Sequence, residues 1–117
     1  MPDLVPAPNS VLHLADVALD PMDAGDGAPL TRWIELGPLV DGTVSVVSMG
    51  IWEMEPGVAF DTEADEVFVV LSGDGVIAFL DTGEELAIGA GDLVRLAAGS
   101  HTRWTVTRTL RKLYLAP

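Results

Sequence analysis

From Thr31 onward the chain alternates apolar and polar residues in short runs, with glycine-centred turns between them. The runs are TRWIEL, the long TVSVVSMGIWEME, EVFVVL, VIAFL, ELAI, DLVRLA, TRWTVT and LRKLYLA. Alternation of period two puts successive side chains on opposite faces of an extended chain, so each run reads as a β-strand. The separators PG, SGDG, DTGE, GAGD and AAGS place glycine where a tight reversal needs positive φ. No window of helical length carries an apolar stripe of period 3.6. Many short strands at regular turn spacing predict an all-β domain, an antiparallel sandwich or barrel. Residues 1–30 have another texture, with Pro2, Pro6, Pro8, Pro21, Pro29 and the run DAGDGAP. They predict a loop-rich segment with one edge strand at SVLHLADVA, ahead of a barrel over residues 31–117.

Composition narrows the picture. A chain of 117 residues, 49% hydrophobic and 21% charged, has the make-up of one globular domain with one core. The longest aliphatic or aromatic run, VFVVL, is far too short to span a bilayer as a helix. No basic region followed by an apolar stretch opens the chain, so a cytoplasmic location is the expectation. Cysteine is absent, which excludes disulfides and thiolate chemistry. A formal charge of −12 argues against nucleic acid or an anionic membrane surface as partner. All eighteen acids lie at or before Asp92, whereas five of the six bases (Arg95, Arg103, Arg108, Arg111, Lys112) follow it. That asymmetry predicts late basic strands pairing with early acidic ones across a sheet. The alternative is a small cationic spot for an anionic ligand.

The segments PGVAFDTEADEVFVVLSGDGVI, GAGDLVRLAAGSHTRWTV and RKLYLAP carry a resemblance. Glu66 is followed after six residues by Gly73, and Gly91-Asp92 after four by the turn Ala97-Ala98-Gly99. Together with GIWEMEPG, these spacings resemble the two motifs of the cupin superfamily. The resemblance covers about residues 43–116 and is similar to a branch of small cupins related to ureidoglycine aminohydrolase domains and an ethanolamine-utilisation cupin. It implies a jelly-roll barrel with an interior pocket. In metal-binding cupins the ligands are two histidines and a glutamate from the first motif and a histidine from the second. Carried onto this chain, the glutamate is Glu66, and the paired histidines fall on Ala59 and Asp61 or on Phe60 and Thr62. The last histidine falls on Thr102. Three of the four ligands are absent.

Parity tests whether His101 could substitute. In HTRWTVT, Trp104 and Val106 share a face with Thr102, while His101, Arg103 and Thr105 share the other. The apolar pair must face the interior, so Thr102 points in and His101 out; a one-residue slip would expose Trp104. His13 has no carboxylate or histidine neighbour in a motif and reads as a surface residue. A borderline metal prefers imidazole or thiolate, so such a site is not expected. An all-oxygen divalent-metal site could draw on Asp61, Glu63, Asp65 and Glu66; a bulge at Gly99-Ser100 would instead bring in His101, making Asp61, Glu66 and His101 the candidate ligands. The preferred reading of FDTEADE is a solvated acidic turn.

If the barrel keeps a cavity, the resemblance points to Trp52, Glu66, Thr102, Trp104, Lys112 and Tyr114 as its lining. Apolar walls with a few convergent polar groups suit a small organic ligand, such as a carboxylate or sugar-like metabolite. The leading expectation is therefore a binding module without a metal cofactor. The alternative is an enzyme resembling ureidoglycine aminohydrolase, or another small-molecule hydrolase or isomerase, using Glu66 with Lys112 or Tyr114, or a metal. EVFVVL is apolar on both faces, so its outer face needs cover from the N-terminal segment or a second subunit, and a homodimer is expected.

Overall fold

The described residues form eight strands, six of them on the alternating runs and two, the first and the fourth, outside them. They are β1 (Asp20–Met22), β2 (Thr31–Val40), β3 (Ser45–Met54), β4 (Gly57–Thr62), β5 (Glu66–Phe79), β6 (Glu85–Gly89), β7 (Leu93–Leu96) and β8 (His101–Ala116). This computed structural model describes residues 4–40 and 45–117. Thr43 and Val44, at the start of the long predicted strand, lie outside the described residues. Every pairing is antiparallel. The fold is an all-β jelly roll, and the described residues contain no α-helix.

Two long strands build it. β5 and β8 each serve two layers, because their pairing shifts register between Val70 and Gly75. The first half of β8 pairs with β4 and with the end of β5, which in turn pairs with β6. The second half of β8 pairs with β3 and with the start of β5, which pairs with β7. Extra residues in one strand bend and twist it, and that bend carries both strands from one layer into the other. Gly73 sits at the bend with φ +92°, and a Cβ there would run into the Thr109 carbonyl. No side chain fits.

Alternation sorts the two faces as the sequence predicts. On β8, Thr102, Trp104, Val106 and Leu110 are buried, while His101 is exposed. On β5, Phe68, Val70 and Ile77 are buried. The core also takes Met54, Ile88, Val94 and Leu96 from neighbouring strands. The Gly-Asp turn docks on β5, with Gly91 N–H donating to the Val70 carbonyl at 2.8 Å and Val70 N–H donating to the Asp92 carbonyl at 2.9 Å.

The N-terminal segment departs from expectation. SVLHLADVA forms no strand; Leu14–Asp16 is a single 3-10 turn, and the edge strand is the later β1, paired with Thr31–Trp33 of β2. The turn is held by Arg111, whose Nη1 donates to the carbonyls of Leu14, Ala15 and Val17 at 2.7, 3.3 and 3.4 Å. Its Nε donates to Glu53 at 3.1 Å. Carbonyls gathered on one guanidinium outweigh the weak β-preference of a segment containing Asp16 and Ala18.

The cross-sheet charge pairing is present. Besides Arg111–Glu53, it includes Arg108–Asp74 at 2.6 Å and Lys112–Glu66 at 2.6 Å. Late bases meet early acids.

Candidate ligand cavity

A cavity of about 490 Å³ opens between the two layers, lined on one side by Met22 of β1 and by Asp23 and Ala24 after it. Lys112 forms its base. The ammonium donates to Glu66 Oε2 at 2.6 Å and lies 4.3 Å from the Phe68 ring, 4.8 Å from Trp52 and 5.0 Å from Trp104. The register explains the arrangement. Lys112 is opposite Trp52 on β3 and Val70 on β5, and Phe68 and Glu66 follow at two-residue steps on the same face. Lys112 is only 5% exposed, and a carboxylate and three aromatic faces stand where water would otherwise surround the ammonium.

Above this base stands a second carboxylate. Glu63 Oε2 accepts from the Thr102 hydroxyl at 2.7 Å and from the Trp104 indole N–H at 2.9 Å. Trp104 is thereby fixed at both ends, by Glu63 at its polar edge and by Trp52 and Phe68 at centroid distances of 5.4 and 5.7 Å. Asp61 lies beside Glu63 at the rim. Partial burial, with the Glu63 charge adding to it, raises its carboxyl above the ordinary aspartate value. Tyr114 shares the wall with Lys112, and its hydroxyl packs against Gly50 on β3, where a side chain would collide with the ring. Burial, then the charges of Glu35 and Glu66, push the Tyr114 phenol up, so it stays protonated well into the alkaline range.

Five of the six residues named from sequence, Trp52, Glu66, Trp104, Lys112 and Tyr114, line this cavity. Thr102 is fully buried behind it and acts through Glu63. His101 points away, its Nδ1 2.9 Å from Asp81 on the outer surface. FDTEADE does not stay one solvated turn. Asp65 accepts from the Ala98 N–H at 2.9 Å and holds the turn before β8, while Asp61, Glu63 and Glu66 face the cavity. Continuing the parity from Ala59 through Asp61 leads to Glu63, which is the signal that marks it. Trp33 and Phe60 also line the cavity; no motif marks Trp33, and Phe60 enters the motif only as an alternative histidine position.

The metal of the metal-binding cupins can be tested against these side chains. Ala59 and Asp61 are the register partners of Trp104 and Thr102, so they are the pair that takes the histidine positions on the cavity face. Alanine, threonine and an aspartate at the rim make a poor donor set beside Glu66, whose oxygen is already engaged by Lys112. A unit charge about 4 Å from an ammonium is opposed by roughly 4 kcal/mol at an effective dielectric of about 20, and a dication by twice that. Among the described residues no group of three or more His, Cys, Asp or Glu is arranged to hold a metal ion. The residues present do not fit the metal.

The EutQ-like cupin domain matches the chain over residues 42–114. The chain is a member of that cupin family. Among solved structures, this cupin is similar to the EutQ protein of Clostridium difficile, with a TM-score of 0.74 and 22% identity over 90% of this chain and 83% of that one. A putative ethanolamine utilisation protein Q of Salmonella typhimurium aligns at 0.73 and 21% identity, over 91% and 83%. The polyketide cyclase RemF of Streptomyces resistomycificus aligns at 0.70 and 23%, over 92% and 78%. Identities this low establish the jelly roll and nothing about chemistry. No curated protein matches the chain. No helix among the described residues of the cupin is long and apolar enough to cross a membrane.

Proposed function

We propose that this cupin binds a small organic molecule in the mouth of its barrel, with the Lys112 ammonium occupying the centre that an ion would need. One observation carries the reading. Among the described residues, the one basic side chain lining the cavity is held by Glu66 and three aromatic rings, and room of about 490 Å³ remains above it. Concave, aromatic-walled space with a few oriented polar groups is the usual form of a small-molecule site. Trp52 and Trp104 supply the walls, and Glu66, Glu63 and Tyr114 supply the polar contacts. A thermal-shift screen of small metabolites tests this. At least one class should raise the Tm of the wild type and leave Trp52→Ala unmoved; stabilisation equal in both proteins would place binding elsewhere.

A second reading is acid–base catalysis on the same ligand, supported by Glu66, Lys112 and Tyr114 on one wall and by the protonated state of the Tyr114 phenol. A hydrolysis or isomerisation of that kind needs no metal. An NMR time course on a compound that stabilises the protein separates the two readings. Turnover that is lost in Glu66→Gln marks an enzyme, and an unchanged spectrum marks a binding module.

The outer face supports a homodimer. Val67, Leu115 and Arg95 line a shallow depression there, and Leu93 is 74% exposed beside it. A second copy would cover this face by the symmetric route that most oligomers take.

A further inference from the structure

The charge of the cavity selects among the ligands of the proposed function, so any ligand preference read from it presupposes that function. Four carboxylates line the space, Asp23, Asp61, Glu63 and Glu66, against one ammonium, that of Lys112. The ammonium is already neutralised by Glu66 at 2.6 Å. An entering anion would therefore meet no uncommitted cation among the described residues, and a formal excess of three negative charges. Of the two ligand types suggested by the sequence, a carboxylate or a sugar-like metabolite, this charge opposes the carboxylate.

The remaining walls fit the opposite charge. All three tryptophans of the chain, Trp33, Trp52 and Trp104, line the cavity, with Phe60 at its rim. Trp33 and Trp52 are direct cross-strand partners on β2 and β3, and both line the cavity. Indole faces attract cations through the ring quadrupole, and they do so most strongly where water is displaced. The cavity already uses this chemistry once, on its own Lys112. Asp61 at the rim makes no salt bridge among the described residues; Glu63, which repels it, is fixed by two hydrogen bonds, and the Lys112 ammonium attracts it more weakly than burial and Glu63 oppose its charge. A carboxylate with an aromatic wall beside it, and no cation in direct contact, is a seat for an ammonium group.

We infer that the ligand of this barrel is an organic cation, an ammonium compound with an apolar or aromatic body. Its charged head sits by Asp61 and its body lies against Trp33, Trp52 and Phe60. Sodium or another inorganic ion would gain the charge but leave the aromatic wall unused. The raised Asp61 carboxyl adds a pH dependence: affinity falls as the pH drops through its range and the aspartate takes up a proton.

Because every tryptophan lines the cavity, intrinsic fluorescence reads occupancy directly. The experiment titrates wild type and Asp61→Asn with benzylammonium, benzyl alcohol and benzoate at neutral pH and constant ionic strength. Benzylammonium should quench saturably and bind about tenfold more tightly than benzyl alcohol, with benzoate weaker still, the factor expected of one partly desolvated charge contact. Asp61→Asn should weaken benzylammonium by about the same factor and leave benzyl alcohol unchanged. Benzoate or benzyl alcohol binding as tightly as benzylammonium would overturn the cationic ligand while leaving the pocket as a binding site. An undiminished benzylammonium affinity in Asp61→Asn would remove the aspartate as its seat. No saturable quenching by any of the three would overturn the binding site itself.

Discussion

At the residue scale, Lys112 and Glu66 decide the character of the cavity. Their side chains are 6% and 19% exposed, so removing either one leaves the other charge largely out of water. Lys112→Met should cost about 3 kcal/mol for that reason, the lower end of what breaking a buried pair costs. Replacing both partners, Glu66→Leu with Lys112→Met, should return stability to within about 1 kcal/mol of wild type, because an apolar pair needs no compensating charge. Urea denaturation of the cycle checks this, and additive losses would mean the two charges do not depend on each other. Asp61 behaves in the opposite sense. Its carboxyl titrates above the unfolded value, so ionisation is unfavourable to the folded state at neutral pH, and the penalty disappears as the pH falls through the raised folded value. Without ligand, Asp61→Asn should therefore raise Tm at pH 7, and the gain should vanish on acidification. A lower Tm at pH 7 would show that the charge is already satisfied.

At the element scale, the bends in β5 and β8 turn two strands into both layers of the barrel. Gly73 makes this bend, so Gly73→Ala should cost about 3 kcal/mol or prevent folding, through strained backbone and collision with Thr109. Gly91 has a similar φ of +91° but open space around it, and Gly91→Ala should cost only about 1–2 kcal/mol. Equal losses in thermal unfolding would remove the collision from the explanation. Strand positions and faces are legible in the sequence because period-two patterning is local. Thr102 in and His101 out follows from where Trp104 must go. Residues 10–18 are not legible as a turn, since their geometry comes from Arg111, nearly a hundred positions later. Trp33 leaves no mark in the sequence for a related reason: an aromatic on a strand reads the same at a cavity mouth as on any half-buried face. Glu63 lies within reach of parity, but the density of acids around it makes the whole segment read as solvent-facing.

At the scale of the whole molecule, a cupin barrel encloses a cavity whose central cation belongs to the chain. The apolar outer face around Val67 and Leu115 makes a prediction here. Sedimentation should give twice the 12.3 kDa chain mass, and Leu115→Arg should give the monomer with the barrel intact. A monomeric wild type would leave that face to the N-terminal segment alone. If Lys112 stands where an ion would have to stand, metal content is the quantity that shows it. Untagged protein purified without chelator would be analysed by elemental mass spectrometry beside Glu66→Gln, before and after adding back each common divalent ion. With the ammonium in that place, neither protein should hold stoichiometric metal, and no ion should raise the Tm. A stoichiometric metal in the wild type that is lost in Glu66→Gln would contradict it.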